Sequence, residues 1–414
     1  AGPGRMTTMD VSFIIVTHER RDALARTLAH LAALPDAVTH ETWVVDNAST
    51  DGTVDMLARD WPAVRVIRRD DNEGVWARNY PVPQASGRYV VFLDDDSYPL
   101  AGALPGAGVV ERSVHYLDHF PQVAAVSGRV LLPDDSEEAC AMTGVFLSGA
   151  VCIRRSVLLE TGGFRREFFR KAGEYDLSFR LWNLGLRVER FADLVYRHDK
   201  VMTGRSSALA HRMDVRNNLI LVERYLPAGA RRAYRRDWLW RYACLSKAAG
   251  QQDALRQAIA EARQWAEVER QRGRQTLTAE AFEQLFHWQR QTRLVRHWAT
   301  SHSVRRVILA SVSKNLYATW RACRAAGLDV QAIAEDHPAF AGRLYRGLPI
   351  VSTEQAMRRG LPAVLSNANL ATLDAQAAAL ASMTDQPILR LARSRRMPQF
   401  SPAKPAGGLD RQAA

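Results

Sequence analysis

From Val11 to Val91 short apolar segments alternate with amphipathic stretches at helical spacing, and this alternation constrains the fold more than any other feature. A run such as Val11-Ser-Phe-Ile-Ile-Val presents hydrophobic side chains to both faces of a strand. Only a sheet covered on both sides buries such a strand, so the pattern predicts an α/β domain built on a parallel sheet. The spacing predicts strands at 11–16, 43–45, 64–67 and 89–93, separated by helices at 21–33, 53–60 and 74–85. Each of three strands ends in polar residues: Thr17-His18-Glu19, Asp46-Asn47 and Asp94-Asp95-Asp96. Open parallel sheets bind ligands at the C-terminal ends of their strands, so these clusters are predicted to face one crevice.

The remaining chain changes character twice. Residues 123–200 read as mixed, with strands at 124–126, 145–153 and 187–191, a helix from Arg154 and a further segment at 173–184. Residues 213–300 read as helical, because no proline falls between Pro227 and Pro338 and good helix formers dominate. From Arg305 a second, smaller α/β unit is predicted: strand 307–312, helix 315–326, strand 330–334, a turn at Asp336-His-Pro, helix 353–359 and strand 363–365. At 414 residues the chain is long enough for two or three domains. The expected division is a leader at 1–9, a first α/β domain at 10–226, a helical domain at 227–302, a Rossmann-like domain at 303–396 and a disordered tail at 397–414.

Composition narrows the class. With 47% hydrophobic and 24% charged residues the chain is a folding one, and no apolar run approaches the roughly 18–20 residues of a membrane span. The first residues lack a secretory pattern and read as a processed leader before Met6 or Met9, which predicts a cytoplasmic protein. Its four cysteines are far apart with no metal-binding spacing and are expected as reduced thiols. A net charge of +12 implies polyanionic partners: nucleic acid, an anionic membrane face or phosphorylated substrates. No nucleic-acid-reading motif accompanies it, so no nucleic acid is expected.

The acidic run carries the chemistry. Three adjacent aspartates raise one another's pKa unless a cation sits among them, and an all-oxygen site suits Mg²⁺ or Mn²⁺. Asp-Ser-Tyr-Pro is equally good turn chemistry, so the run alone leaves a solvated turn open.

Four stretches in order decide the context: Val11–His18 with Arg20, Val45-Asp-Asn-Ala-Ser-Thr-Asp-Gly-Thr53, Asn72-Glu-Gly-Val-Trp-Ala-Arg-Asn79, and Gly87-Arg-Tyr-Val-Val-Phe-Leu-Asp-Asp-Asp96. Together they resemble the family 2 glycosyltransferases of the GT-A fold, over about residues 11–225. The resemblance implies that Thr17, Glu19 and Asp46 line the base and ribose pocket with Arg78 near the diphosphate. Asp94 and Asp96 match the DxD positions. Asp96 would ligate Mn²⁺ or Mg²⁺, with Asp94 beside it as ligand or toward ribose, and Asp95 would face the donor or only shape the strand end. His198, in Tyr196-Arg-His-Asp-Lys200, would be a third ligand. Gly173-Glu-Tyr-Asp-Leu-Ser-Phe-Arg180 resembles the motif that supplies the base. Glu174 is the first candidate and Asp176 the second, although Asp176 is also placed to pair with Arg180 on one helix face. Asp46 and Asp51 are also placed as helix caps. Ser148-Gly149-Ala150 would let the donor sugar approach backbone, and Arg205 and Arg216-Asn217 would support the diphosphate or a closing loop.

The resemblance thus implies an inverting, metal-dependent transfer from a nucleoside-diphosphate sugar to a glycan or lipid-linked acceptor, in cell-envelope polysaccharide or lipopolysaccharide assembly. Its rivals are a nucleotidyltransferase, for which a Gly-rich, Lys-containing first loop is missing, and a non-catalytic sugar-nucleotide-binding scaffold. Arg231–Tyr242 mixes cations and aromatics at helical spacing. It suits either a helix on the anionic inner face of the cell membrane or a domain interface. The unit from Arg305 resembles the nucleotide-binding domains of sugar acyltransferases, in Leu328–Pro338 and Gly342–Ser352. It has Ser311-Val-Ser-Lys-Asn315 where a dinucleotide fingerprint would have glycines, so a scaffold or homo-oligomer role is expected.

Overall fold

The computed structural model describes residues 9–35, 38–101, 108–200 and 207–398. Residues 1–8 of the expected leader, 399–414 of the expected tail, and Arg205 lie outside them. The first domain is built from β1 (Val11–Thr17), α1 (Arg21–Ala32), β2 (His40–Asn47), α2 (Thr53–Asp60), β3 (Arg65–Arg69), β4 (Tyr89–Asp94), β5 (Ser97–Pro99), α3 (Val109–His119), β6 (Val123–Leu131), β7 (Val151–Arg154), α4 (Arg155–Thr161), α5 (Gly173–Asn183) and β8 (Arg187–His198). Its eight strands run in the order β3-β2-β1-β4-β7-β6-β8-β5. The first four are parallel, and β7 enters antiparallel between β4 and β6.

The apolar runs are strands because both faces are covered. Phe13, Ile15 and Val91 pack against α1, α2 and α3, while Ile14, Val90 and Phe92 pack into a second core with Phe164 and Leu177. Each of these side chains is at most 1% exposed. Burial on that scale is worth about 1.5–3 kcal/mol per large apolar side chain.

Two predicted elements differ from what forms. The helix expected at 74–85 is only a 3₁₀ turn at Gly74–Asn79, because Pro81 and Pro83 supply no N–H to continue it. Gly74 adopts φ +62°, and a Cβ there would strike the carbonyl of Phe169. The strand expected at 145–153 is confined to Val151–Arg154. Residues 145–150 instead form a loop passing so close to β4 that a Cβ on Gly149 would lie 2.8 Å from Asp94 Oδ2. Conversely, β8 continues past Phe191 to His198, carried by pairing with β6 and then β5.

The helical region comprises α6 (Ser207–Tyr225), α7 (Ala228–Ala248), α8 (Gln252–Arg272), α9 (Ala279–Phe286) and α10 (Trp288–Ser301). Its core includes Phe168, Ala172 and Phe179 of the first domain. Next come β9 (Arg306–Ala310), α11 (Leu316–Ala325), β10 (Asp329–Ala334), β11 (Leu344–Tyr345), β12 (Leu348–Val351), α12 (Thr353–Met357), β13 (Ala363–Leu365), α13 (Leu370–Ala381) and β14 (Ile388–Arg390). The second sheet has the order β11-β12-β10-β9-β13-β14.

The aromatic residues of α7 lie at a domain interface. Trp238 and Tyr242 are 2% exposed, the Trp238 indole donates to the Lys314 carbonyl, and Trp240 stacks on Phe340. All four cysteines are buried free thiols. Met397, the first residue of the expected tail, packs into the core of the first domain, and its N–H donates to Asp193 Oδ1. No helix among the described residues is long and apolar enough to cross a membrane.

Candidate active site

Sheet register sets the site. Thr17 pairs with Asp46 across β1–β2, and Val16 with Asp94 across β1–β4, so the polar strand ends lie level. They open on a cleft of about 900 Å³, whose walls include Thr17, Glu19, Asn47, Arg78 and Asp94. A smaller cavity of about 290 Å³ shares Val16, Val75, Asp94, Asp95 and Arg170 with it, and adds Asp96, Gly149, Glu174 and His198. The two form one groove bending at the acidic run.

Around the first bend, several side chains hold loops. The Thr17 hydroxyl donates to Asp95 Oδ2 at 3.0 Å. Glu19, at φ +55°, accepts from the Thr50 amide and hydroxyl through Oε1 at 2.7 and 3.0 Å, tying β1's loop to β2's. Asp46 is fully buried, and its carboxylate accepts from the Ser49 N–H at 3.3 Å. Its neighbour Asn47, rather than Asp46, is on the cleft wall. Asp51 accepts from the Thr53 amide and hydroxyl at the start of α2 and from the Arg21 N–H.

The acidic run is interlocked with cations. Arg78, 1% exposed, donates to Asp94 Oδ1 at 2.5 Å and to the carbonyls of Leu93 and Ser148 at 3.1 Å. Arg20 reaches Asp96 Oδ2 at 2.5 Å and Asp95 Oδ1 at 3.3 Å. Burial raises the Asp95 carboxyl to about 7; Arg20 opposes the shift, and the charges of Asp96 and Asp94 add to it.

Pairing of Ser97 with His198 across β5–β8 places the imidazole beside the run. His198 Nε2 lies 3.0 Å from Asp96 Oδ1, and Nδ1 lies 2.8 Å from Glu138 Oε2. Burial disfavours the imidazolium, but the flanking Asp96 and Glu138 outweigh it and raise its pKa to about 10. Glu138 is held below the usual carboxylate range despite its burial, chiefly by His198.

Ligand atoms of Asp94, Asp96 and His198 all lie within 4.8 Å of one another. Two carboxylates and an imidazole fit a borderline-hard divalent ion such as Mn²⁺, and Glu138 behind His198 is the outer partner that orients a ligating histidine. The donor set therefore fits a divalent metal.

Helix α5 separates its two acidic residues. Its start is set by Lys171 and Ala172 in left-handed conformations, φ +69° and +62°. Glu174 follows in the first turn, on the wall of the smaller cavity, and burial raises its pKa, opposed by Lys171 and Lys314. Asp176 is fully buried away from both cavities. Its Oδ1 accepts from Arg224 at 3.0 Å and the Tyr225 hydroxyl at 2.7 Å, and its Oδ2 from Arg180 at 3.0 Å. Arg216 donates to the Glu167 carbonyl and to Asn217. Asn217 donates to the carbonyls of Arg170 and Lys171 at 2.8 and 2.7 Å, fixing the strap that precedes Glu174.

Three charged groups stand here without a signal in the sequence: Glu138 lies in an acidic turn with no motif, Arg20 sits in the first loop with no implied role, and Lys314 comes from the last domain. Its ammonium donates to Asn218 Oδ1 at 2.9 Å and sits over the Tyr175 ring.

This arrangement of a parallel sheet, an antiparallel insertion through β7 and an acidic turn after β4 is a GT-A fold. Residues 12–107 match the family model described as Glycosyl transferase family 2. No curated protein sequence matches the chain. Among solved structures, a mannosyltransferase from Pyrobaculum calidifontis in complex with GDP-Man and Mn²⁺ is similar at 20% identity and TM-score 0.42, over 76% of this chain and 85% of that one. TarS residues 1–349 from S. aureus are similar at 15% identity and TM-score 0.44, over 77% and 92%. Against another S. aureus TarS structure the figures are 17% and 0.40, over 52% of this chain and 40% of that one, so the chain spans well under half its length.

Proposed function

We propose that the chain is an inverting glycosyltransferase that moves a sugar from a nucleoside diphosphate to a hydroxyl of a glycan or lipid-linked acceptor. The observation that carries this reading is the meeting of the Asp94, Asp96 and His198 ligand atoms at the bend between the two cavities, with Glu174 on the acceptor-side wall. The larger cavity takes the nucleotide, between the Thr17–Glu19 loop and Arg78, and the smaller takes the sugar and the attacking hydroxyl.

Asp94, Asp96 and His198 would hold Mn²⁺ or Mg²⁺, which supplies Lewis-acid stabilisation of the leaving diphosphate. Arg20 and Arg78 add positive charge beside it. Glu174 takes the proton from the acceptor hydroxyl as that oxygen attacks the anomeric carbon from the face opposite the departing diphosphate. Its raised pKa is what a base needs to pull on a hydroxyl proton. Asp176 is committed to Arg180, Arg224 and Tyr225 and serves to fix the helix that presents Glu174. Cell-envelope polysaccharide or lipopolysaccharide assembly, at the inner face of the membrane, is the setting this chemistry suits.

The test is nucleoside-diphosphate release from a panel of UDP-, GDP- and dTDP-sugars, with the anomeric configuration of any product read by NMR. Release from at least one donor is expected with Mn²⁺, lost with chelator and in Asp96→Ala. No release from any donor, together with unchanged nucleotide binding by Asp96→Ala, would overturn the reading.

A further inference from the structure

The second sheet has its own crevice, and it is not empty of chemistry. In the order β11-β12-β10-β9-β13-β14 the chain leaves β9 toward β10 on one side and leaves β13 toward β14 on the other. The reversal falls between β9 and β13, which are parallel neighbours. Ligands of open α/β sheets bind outside the carboxyl ends of the strands at that point. Here the carboxyl ends open into a cavity of about 540 Å³, lined by Asn315 and Thr319 at the start of α11 and by Ser366 and Asn367 after β13. The first domain closes it with Thr143, Gly144 and Trp182, and the helical region with His287 and Gln291. That volume lies within the range of small-molecule sites, about 300–1,000 Å³.

Charge and unmet hydrogen bonds say what the cavity takes. Five arginines line it (Arg187, Arg190, Arg290, Arg393 and Arg395) against two glutamates, Glu189 and Glu280. Glu189 is consumed by Arg187 and Arg395. Arg190, Arg290 and Arg393 have no carboxylate partner among the described residues. The Nε and Nη1 atoms of Arg190 are buried without any hydrogen-bond partner, and so is the Oε1 atom of Gln291, a residue only 6% exposed. A buried donor or acceptor left unpaired is costly, so these atoms point to a missing partner. The starts of α11 and α13 meet at the same crevice and add their N-terminal dipoles. Guanidiniums and helix N-termini ask for a phosphate, whereas the Gln291 carbonyl asks for a donor such as a sugar hydroxyl or a base N–H. Bare phosphate meets only the first demand.

We infer that the crevice between β9 and β13 is a second ligand site, separate from the groove at β4, for a small phosphate ester of sugar-phosphate or mononucleotide size. It is not a dinucleotide site: Lys314 of the first loop is turned away toward Asn218 of α6, and the loop lacks the glycines that let a pyrophosphate approach. The inference does not depend on the transferase reading.

The test is calorimetric titration of the full chain with glucose 1-phosphate, UMP and inorganic phosphate, all in the presence of chelator. At least one ester is expected to bind saturably at one site per chain, about tenfold or more tighter than inorganic phosphate. Binding is expected to persist in Asp96→Ala, and to weaken about tenfold or more in Arg190→Gln and in Asn367→Trp, which fills the crevice from its rim. If Arg190→Gln does not fold, Asn367→Trp decides alone. The site is refuted if neither ester binds saturably, if inorganic phosphate binds as tightly as both, or if Asn367→Trp leaves binding unchanged.

Discussion

Glu174 and Asp176 stand two residues apart in one helix, yet one borders the groove and the other is sealed in an ion network. From sequence Glu174 ranks first and Asp176 second, but both stay candidates, because a motif gives spacing and not burial. What separates them is Arg224, which comes from α6, far along the chain. Glu174→Gln is expected to lower kcat by about 10²–10⁴-fold with little change in Tm, since it removes a base without opening a buried pair. Asp176→Asn is expected to cost about 3–5 kcal/mol of stability by leaving Arg224 and Arg180 uncompensated, seen as a fall in the denaturation midpoint. Equal activity losses with equal destabilisation would dissolve the distinction. The residues of the acidic run were legible because they follow one another at the end of an apolar strand. Glu138 was not, since it meets His198 only because β6 pairs with β8 and the turn after β6 folds Glu138 back onto that strand.

At the scale of elements, the strands of the first domain could be read because burial on both faces writes itself as continuous apolar runs. Loops could not. The 145–150 segment looks like a strand by composition but bends to bring the Ser148 carbonyl to the Arg78 guanidinium that also holds Asp94. The loop after β9 shows a further element effect, because it delivers the Lys314 cation to the neighbourhood of Glu174. As the proposed base Glu174 must be ionised to act, and burial raises its pKa. The kcat/KM of the transfer should therefore fall as pH drops through a value above the ordinary 4.5 for glutamate. The Lys314 ammonium favours the Glu174 carboxylate, while burial lowers the pKa of Lys314 itself. In Lys314→Met the acid limb of the pH–rate profile is expected to move to still higher pH. An unmoved or lowered limb would show that the two charges are not coupled.

At the scale of the molecule, the last domain braces the loop that shapes the groove. Asn315 Nδ2 donates to the Ala141 carbonyl at 2.8 Å, and Asn369 Oδ1 accepts from the Cys140 N–H at 3.1 Å. The same loop runs on to Ser148 and Gly149 beside Asp94. Replacing both asparagines with alanine should raise hydrogen exchange across residues 139–149 and reduce transfer, while the exchange of β1 and β4 stays unchanged. Unaltered exchange in 139–149 would mean the loop holds itself. None of this bracing was legible in the sequence, because it rests on pairs separated by some 170 to 230 positions.

Arg20 and Arg78 give the acidic run one further property. Each aspartate of the run already has a guanidinium against it, so the groove carries its own counter-ions and can fold without waiting for a divalent one. A metal held by Asp94 and Asp96 would share those carboxylates with Arg78 and Arg20, so the bend would carry fixed positive charge on both sides of the ion.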